Sequence, residues 1–186
     1  MKQTAAHVEV YAVKVMLLGT RPLVWRRILV PRDITLRQLH RTLQTVMGWT
    51  DSHLHQFVLP RQRFSEASYR VGTKVANENG TKLGELIWTS GSRLLYEYDF
   101  GDGWQHELVL EEVLLGDESF QQMCVAGKRC CPPEDCGGPQ GFAELLEALG
   151  DGNHCGREEI CQWLGDFVPD SFSVDDINQK LRRRKR

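Results

Sequence analysis

The sequence contains no apolar run near the ~18 residues that a membrane-spanning helix requires. Its first residues, MKQTAAHVEVYAVKV, also lack the apolar core of a secretory signal peptide and pass directly into the alternation typical of a strand. We therefore expect a cytoplasmic protein with no membrane association. In that compartment the six cysteines are expected to stay reduced.

The sequence also lacks the motifs of the familiar enzyme classes. It contains no nucleophile elbow, Walker phosphate loop, dinucleotide fingerprint or metalloprotease helix. Asp99-Phe100-Gly101 matches the magnesium motif of protein kinases, but no glycine-rich phosphate loop or catalytic loop accompanies it. These absences argue against each well-known activity, and they leave open whether the protein is an enzyme.

Basic and acidic residues are unevenly distributed, although the formal net charge is only −2. Residues 21–41 carry six arginines and one acid, whereas residues 94–127 carry eight acids and no lysine or arginine. One interpretation is that the two regions meet in the fold and partly neutralise each other, and the other is a polarised binding surface. The small net charge gives no general attraction to nucleic acid.

Alternation of apolar and polar residues predicts an N-terminal hairpin. Residues 8–18 and 23–30 alternate, and the turn residues 19–22 separate them. A capping box at Thr35 and Gln38 then predicts the start of a long helix, whose apolar residues recur at helical spacing until Gly48 ends it.

More strands are predicted before residue 113, and helices after it. Residues 53–59 alternate as a strand, and residues 94–113 predict a second hairpin with a Gly-Asp-Gly corner. Residues 124–141 are rich in cysteine, proline and glycine and predict an ordered but irregular loop. Short helices are predicted at residues 142–149, 158–164 and from residue 173 onward. This order predicts one α+β domain over residues 1–186, with a mainly antiparallel sheet, one long helix in the N-terminal half and several C-terminal helices.

The corner of the second hairpin carries the first group of candidate site residues. Asp99, Asp102 and His106 can converge at one rim, and carboxylates and imidazole serve as metal ligands or as general acids and bases. The alternative is a purely structural turn, in which Asp102 caps the corner and His106 shares a strand face with Trp104.

Two histidines form a second candidate group. His53 and His55 are two residues apart on one face of a predicted strand, a spacing that can present two imidazoles to one metal ion. The alternative is that both are hydrogen-bonded residues at the edge of the core, with Asp51 and Ser52 as possible partners.

The cysteine-rich loop is a candidate zinc site. Cys124, Cys131, Cys136 and His154 are the ligand set that we expect if zinc is bound, although no Cys-x-x-Cys pair occurs. Reduced, partly buried thiols are the alternative.

Four segments carry a resemblance to a known family. RPLVWRRILVP, TLRQLHRTLQTVMGWTDSHLHQF, YEYDFGDGWQHELVLEEV and CCPPEDCGGPQGFAELLEAL occur in this order. The chain resembles the plasmid pRi open-reading-frame-three-like family, also labelled insertion-element passenger TnpR proteins, from about residue 8 to residue 181. The resemblance implies a compact α+β domain encoded beside mobile elements. No serine-recombinase active site is visible, so the TnpR label does not carry a recombinase activity to this chain.

The hairpin corner and the proline-rich loop are expected to form one polar pocket. Two prolines fix φ in the loop that carries Glu134 and Asp135, and two glycines permit a close backbone approach. Arg26 and Arg27 are candidate counter-charges by bidentate pairing. The candidate catalytic residues are Asp99, Asp102, His106, Glu134 and Asp135. The candidate ligand-binding residues are Arg26, Arg27, His53, His55 and Trp104.

Three functions remain open from the sequence. The first is a binding or interaction module associated with mobile elements or plasmids, with a protein or a nucleic acid as partner. The second is a metal-dependent hydrolase of phosphoesters that uses the five candidate catalytic residues. The third is a DNA-binding accessory protein that uses Arg26, Arg27, Arg37, Arg41 and the basic tail at residues 182–186.

Overall fold

The computed structural model describes residues 7–66 and 75–183, which form eight strands and five helices. The strands are β1 (His7–Leu17), β2 (Val24–Pro31), β3 (His55–Leu59), β4 (Gln62–Ser65), β5 (Val75–Asn77), β6 (Arg93–Tyr98), β7 (Trp104–Asp117) and β8 (Met123–Lys128). The helices are α1 (Leu36–Met47), α2 (Leu83–Leu86), α3 (Gly138–Gly150), α4 (Arg157–Leu164) and α5 (Val174–Arg183).

All eight strands belong to one sheet with the order β5-β4-β3-β6-β7-β1-β2-β8. Every pairing is antiparallel except that of β4 with β5. The predicted α+β class with a mainly antiparallel sheet is therefore confirmed. No helix in residues 7–66 and 75–183 has the length and apolar character needed to cross a bilayer.

The core lies between α1 and one face of the sheet. Burial alternates along β1 from Val13 to Leu17, with Val13, Val15 and Leu17 buried, as the pleat of a strand requires. The capping box of α1 forms as expected, because Thr35 accepts from the backbone of Gln38 and Gln38 bonds back to the backbone of Thr35. Gly48 ends the helix with a φ of 86°.

The segment predicted to be an irregular loop from residue 124 begins as a strand. β8 pairs with the outer edge of β2, and its own outer edge is closed by α5. The side-chain amide of Asn178 accepts from Cys124 N at 2.8 Å and donates to Cys124 O at 2.8 Å, so both backbone groups of Cys124 are satisfied. These contacts are distant in sequence, which explains why local pattern did not predict the strand.

Candidate functional site

The connection between α1 and β3 (residues 48–54) organises the polar end of the molecule. Trp49 donates its indole N–H to the Pro132 carbonyl oxygen at 2.9 Å, and the Ser52 N–H donates to the Tyr98 hydroxyl at 3.1 Å. Asp51 takes a left-handed backbone conformation with a φ of 66°. This connection therefore touches both the second hairpin and the proline-rich loop.

The hairpin corner and the proline-rich loop, two segments expected to be neighbours, lie in contact. The backbone N–H of Gly137 donates to Asp102 Oδ2 at 3.2 Å. A Cβ atom at Gly138 would lie 2.2 Å from the carbonyl oxygen of Asp102, so no side chain fits at that position. The Asp102 carboxylate therefore accepts a hydrogen bond from the residue that precedes α3.

Glu134 anchors the proline-rich loop to the sheet. Its Oε1 accepts from the Tyr98 hydroxyl at 2.5 Å, and its Oε2 accepts from the Thr50 N–H at 3.0 Å. Burial and the bond to Glu134 raise the pKa of Tyr98, so this hydroxyl stays protonated and donates. The Glu134 carboxylate therefore has a structural role in positioning its neighbour Asp135.

A cluster of His53, Asp99 and Asp135, here called the open cluster, lies where the corner and the loop meet. His53 Nε2 is 3.2 Å from Asp135 Oδ1 and 3.7 Å from Asp99 Oδ2. The nitrogen is buried and has no hydrogen-bond partner, because the contact with Asp99 is too long and the contact with Asp135 does not have hydrogen-bond geometry. Asp99 Oδ1 accepts from the N–H groups of Gly101 and Asp102 at 3.0 and 3.3 Å, which leaves Oδ2 free.

A second group, here called the closed cluster, contains His40, Asp51, His55 and Glu78 with their partners. Gln44 Nε2 donates to the Tyr96 hydroxyl at 3.0 Å, and that hydroxyl lies 2.8 Å from His40 Nδ1. His40 Nε2 lies 2.7 Å from Asp51 Oδ1, and the Asp51 N–H donates to Gln44 Oε1 at 3.1 Å. Gln44, Tyr96, His40 and Asp51 therefore form a closed ring of hydrogen bonds.

Burial, and then the neighbouring His55, lower the pKa of His40 to about 4, so its imidazole is neutral at pH 7.

The imidazole rings of His40 and His55 stack, with centroids 3.5 Å apart and planes within 5°. His55 Nε2 lies 2.8 Å from Glu78 Oε2, and Arg37 donates to Glu78 Oε1 at 3.3 Å. Burial raises the pKa of Glu78, but the bonds from His55 and Arg37 outweigh it and hold the pKa below its usual value. Glu78 is therefore a buried carboxylate with two donors.

Stacking makes the closed cluster a poor metal site. Ligand atoms of His40, Asp51 and His55 lie within 4.8 Å of one another. A metal ion lies in the plane of each imidazole that binds it, and two parallel planes 3.5 Å apart share no such point. The structure also separates the expected histidine pair, because His55 joins the closed cluster and His53 joins the open one.

Between the two clusters lies a cleft of about 300 Å³, here called the histidine cleft. It is lined by Arg37, His40, Asp51, Ser52, His53, Leu54, His55, Ser65 and Glu66. Of the candidate ligand-binding residues, His53 and His55 line it.

His106 and Trp104 lie in the core, away from the acids of the corner. Both are on the buried face of β7, and each has a ring nitrogen without a hydrogen-bond partner. Burial lowers the pKa of His106 to about 3, so this ring is neutral and packs against Trp49 and Tyr96. The alternation of β7 is the reason, because it turns these two side chains inward. The structure therefore does not gather His106 with Asp99.

The arginines expected to balance the acidic pocket point elsewhere. Arg26 is buried and donates to three carbonyl oxygens, those of Val46, Trp25 and Lys128. Arg27 pairs with Glu111, with Nη2 3.0 Å from Oε1. This pair does join the arginine-rich and acid-rich regions, but neither arginine serves as a counter-charge for Asp99 or Asp135.

The expected zinc ligands are not gathered. In the part of the chain that the structure describes, the histidine clusters His40/Asp51/His55 and His53/Asp99/Asp135 are the groups of three or more metal-ligand residues within 4.8 Å. Cys124, Cys131, Cys136 and His154 form no such group. Burial raises the pKa of Cys136 to about 11 and that of Cys131 further, so both remain thiols at pH 7. Cys131 Sγ instead packs 3.6 Å from Met47 Sδ.

The basic tail is described only in part. Arg182 and Arg183 end α5, whereas residues 184–186 lie outside the described residues. Among the arginines expected to meet DNA, Arg37 is paired with Glu66 and Glu78.

The chain is similar over most of its length to two other proteins. The uncharacterized protein y4hQ of Sinorhizobium fredii (strain NBRC 101917 / NGR234) is 36% identical over 188 residues, which cover 96% of this chain and 97% of that protein. The crystal structure of the protein of unknown function MM3350 from Methanosarcina mazei Go1 is 37% identical, with a TM-score of 0.83 over 91% of this chain and 97% of that chain. The family described as plasmid pRiA4b ORF-3-like protein matches residues 9–176. The chain therefore belongs to the plasmid pRiA4b ORF-3-like family.

Proposed function

We propose that the chain is a binding module whose histidine cleft takes a cationic group, an ammonium or a guanidinium. The observation that carries the proposal is the excess of acceptors around the cleft. Among the described residues, two carboxylates, those of Asp51 and Glu66, line the cleft beside one guanidinium, that of Arg37, and Arg37 is also paired with the buried carboxylate of Glu78. His40 is neutral at pH 7 and adds no positive charge.

The acceptors are within reach of a ligand. The side chains of Asp51 and Glu66 are 38% and 43% exposed, although each already has one partner. His55 also lines the cleft, and its Nε2 lies 2.8 Å from Glu78 Oε2. A cleft near 300 Å³ has the size of a small-ligand site, and its hydroxyls and carboxylates match the donors of an ammonium group.

The proposal keeps the interaction module expected from the sequence and names its surface. The family takes its description from a plasmid open reading frame, so we place the binding event in plasmid or mobile-element biology. The ammonium group can belong to a free polyamine or to a lysine side chain of a protein partner, and the two sources share the same chemistry.

Calorimetric titration tests the proposal with spermidine and with a lysine-rich peptide as separate probes, and with succinate as the anionic comparator. We expect one or both cations to bind and succinate not to bind. Glu66→Gln should weaken binding about fivefold, as expected for losing an exposed charge pair worth roughly 1 kcal/mol. Glu118→Gln, at an exposed glutamate outside the cleft, is the matched control and should leave the affinity unchanged.

The outcome that overturns the proposal is equal binding of succinate and spermidine, or an identical response of both glutamate variants. A preference for the peptide over spermidine would identify a protein partner, and the reverse would identify a small amine.

The two other functions expected from the sequence have less support. Of the five residues assigned to phosphoester hydrolysis, Asp99 and Asp135 converge, while His106 is buried and Asp102 and Glu134 hold the backbone and Tyr98. Of the arginines assigned to DNA, Arg26 is buried. A binding module accounts for more of the observed geometry than either.

A further inference from the structure

We infer that His53, Asp99 and Asp135 form a binding site for a first-row transition-metal dication, which ties the hairpin corner to the proline-rich loop. The site shares His53 with the lining of the histidine cleft, whereas its two carboxylates, Asp99 and Asp135, lie outside that lining. Its ligand atoms are His53 Nε2, Asp99 Oδ2 and Asp135 Oδ1.

The spacing of these atoms is that of ligands around one ion. Nitrogen and oxygen ligands bind such dications at about 2.1 Å, which places neighbouring ligand atoms roughly 3.0 to 3.5 Å apart in octahedral or tetrahedral geometry. His53 Nε2 lies 3.2 and 3.7 Å from the two carboxylate oxygens, and all three atoms lie within 4.8 Å of one another. The contact of His53 with Asp135 falls within this range, and its contact with Asp99 is about 0.2 Å longer than the upper limit.

The unpartnered nitrogen is a separate observation that points to a ligand. His53 Nε2 is buried and makes no hydrogen bond, although two carboxylates are close. An imidazolium paired with Asp135 would direct its N–H along the line to one oxygen, and this geometry is absent. A buried nitrogen aimed between two carboxylates is arranged as a metal ligand is.

The two acids are positioned in advance by the backbone. Asp99 and Asp135 have φ values of 54° and 59°, a conformation that few residues other than glycine adopt. Asp99 is further fixed through Oδ1 by two backbone N–H groups, and Asp135 follows Glu134, which Tyr98 and Thr50 hold. The site therefore loses little freedom when the ion binds.

The ligand types select the class of ion. One imidazole with two carboxylates suits manganese, iron, cobalt or zinc, whereas magnesium and calcium prefer oxygen ligands alone. The Asp135 side chain is 74% exposed, so water can fill the remaining coordination positions.

Electron paramagnetic resonance of added Mn²⁺ tests the site on the full chain. Manganese is the primary probe because thiols bind it weakly, and the six free cysteines offer competing sites for Zn²⁺. We expect one Mn²⁺ per chain, with Mg²⁺ as a poor competitor. Asp135→Asn and His53→Gln should each weaken binding at least about tenfold.

Matched controls separate the ligands from general charge effects. Asp166→Asn and His154→Gln alter an exposed aspartate and an exposed histidine outside the cluster and should keep the wild-type affinity. Equal Mn²⁺ affinity in the ligand and control variants, or no binding at millimolar Mn²⁺, would overturn the inference. Glu66→Gln should leave Mn²⁺ binding unchanged, so failure of the metal site and failure of the cleft are distinguishable.

Discussion

The closed and open clusters both combine histidine with acidic residues, and the connection between α1 and β3 contributes to both. They differ in whether their histidine nitrogens have hydrogen-bond partners. In the closed cluster, Gln44, Tyr96, His40 and Asp51 complete a ring of hydrogen bonds. In the open cluster, His53 Nε2 has two carboxylates beside it and no hydrogen bond. Histidine with aspartate is thus no signature of function in itself.

The difference lies in what each cluster can still bind. A satisfied buried network stabilises one arrangement of the core, and the buried polar atoms of the ring of Gln44, Tyr96, His40 and Asp51 are already paired with one another. An unsatisfied nitrogen between acids costs free energy unless a ligand meets it. We therefore assign the closed cluster to stability, with only its outer acceptors facing the cleft, and the open cluster to ligand binding.

The largest expected effect on stability comes from removing the buried carboxylate of the closed cluster. Glu78→Ala removes a carboxylate with no exposed side-chain surface and strands the donors of His55 and Arg37. We expect the free energy of unfolding to fall by about 4 kcal/mol, the cost typical of breaking a buried ion pair. Urea denaturation measures it as a lower midpoint with an unchanged slope.

Arg37 supplies the control, because it also pairs with Glu66, whose side chain is 43% exposed. Glu66→Ala should cost less than about 1 kcal/mol, as surface pairs usually do. Equal losses in the two variants would show that burial does not distinguish the partners of Arg37, and the assignment of Glu78 to the core would be wrong.

Acid should destabilise the closed cluster through His40 and, separately, the core through His106. The folded pKa values of His40, about 4, and of His106, about 3, lie below the value of 6.5 for a free histidine. The unfolded chain therefore binds more protons, so the stabilisation is complete above pH 6.5 and is lost as the pH falls toward 4. His106 alone should account for roughly 2 to 3 kcal/mol of this loss between pH 7 and pH 4.

His106→Leu isolates that contribution. The variant removes a buried ring whose Nε2 has no partner and whose Nδ1 lies 3.3 Å from the Tyr96 carbonyl oxygen. Its stability at pH 7 should fall by no more than about 1 kcal/mol, the value of one hydrogen bond, while the slope of stability against pH should become shallower. Urea titrations at several pH values give the slope. An unchanged slope would mean that His106 does not titrate below its ordinary range.

The sequence predicted well the elements that depend on neighbours along the chain. The Thr35 capping box and Gly48 set the ends of α1, and alternation revealed the two hairpins. β8 was missed because its partners are the edge of β2 and the side chain of Asn178, both far away in sequence. Periodicity does not report such long-range contacts.

The same limit applies to the sites. The richness of the hairpin corner and the proline-rich loop in acids and glycines suggested that they meet, and the structure brings Asp102 to Gly137. The sequence did not indicate a site at His40, because this residue lies beside the buried leucines of α1 and the helical spacing of those leucines is the same with or without a histidine there. That a histidine shares this buried face was the available signal, since a buried imidazole needs a partner.

The smallest expected effect on stability comes from a substitution in the open cluster. Asp135→Asn removes an exposed carboxylate that makes no hydrogen bond of good geometry, and asparagine accepts a positive φ as readily as aspartate does. Without added metal, the free energy of unfolding should change by less than about 0.5 kcal/mol. With saturating Mn²⁺, the wild type should gain stability by mass action and the variant should not. Thermal melts without and with Mn²⁺ measure the stability change of the variant and the stabilisation by the metal. A large loss in the absence of metal would place Asp135 with the residues that hold the fold, and the distinction between the two clusters would then disappear.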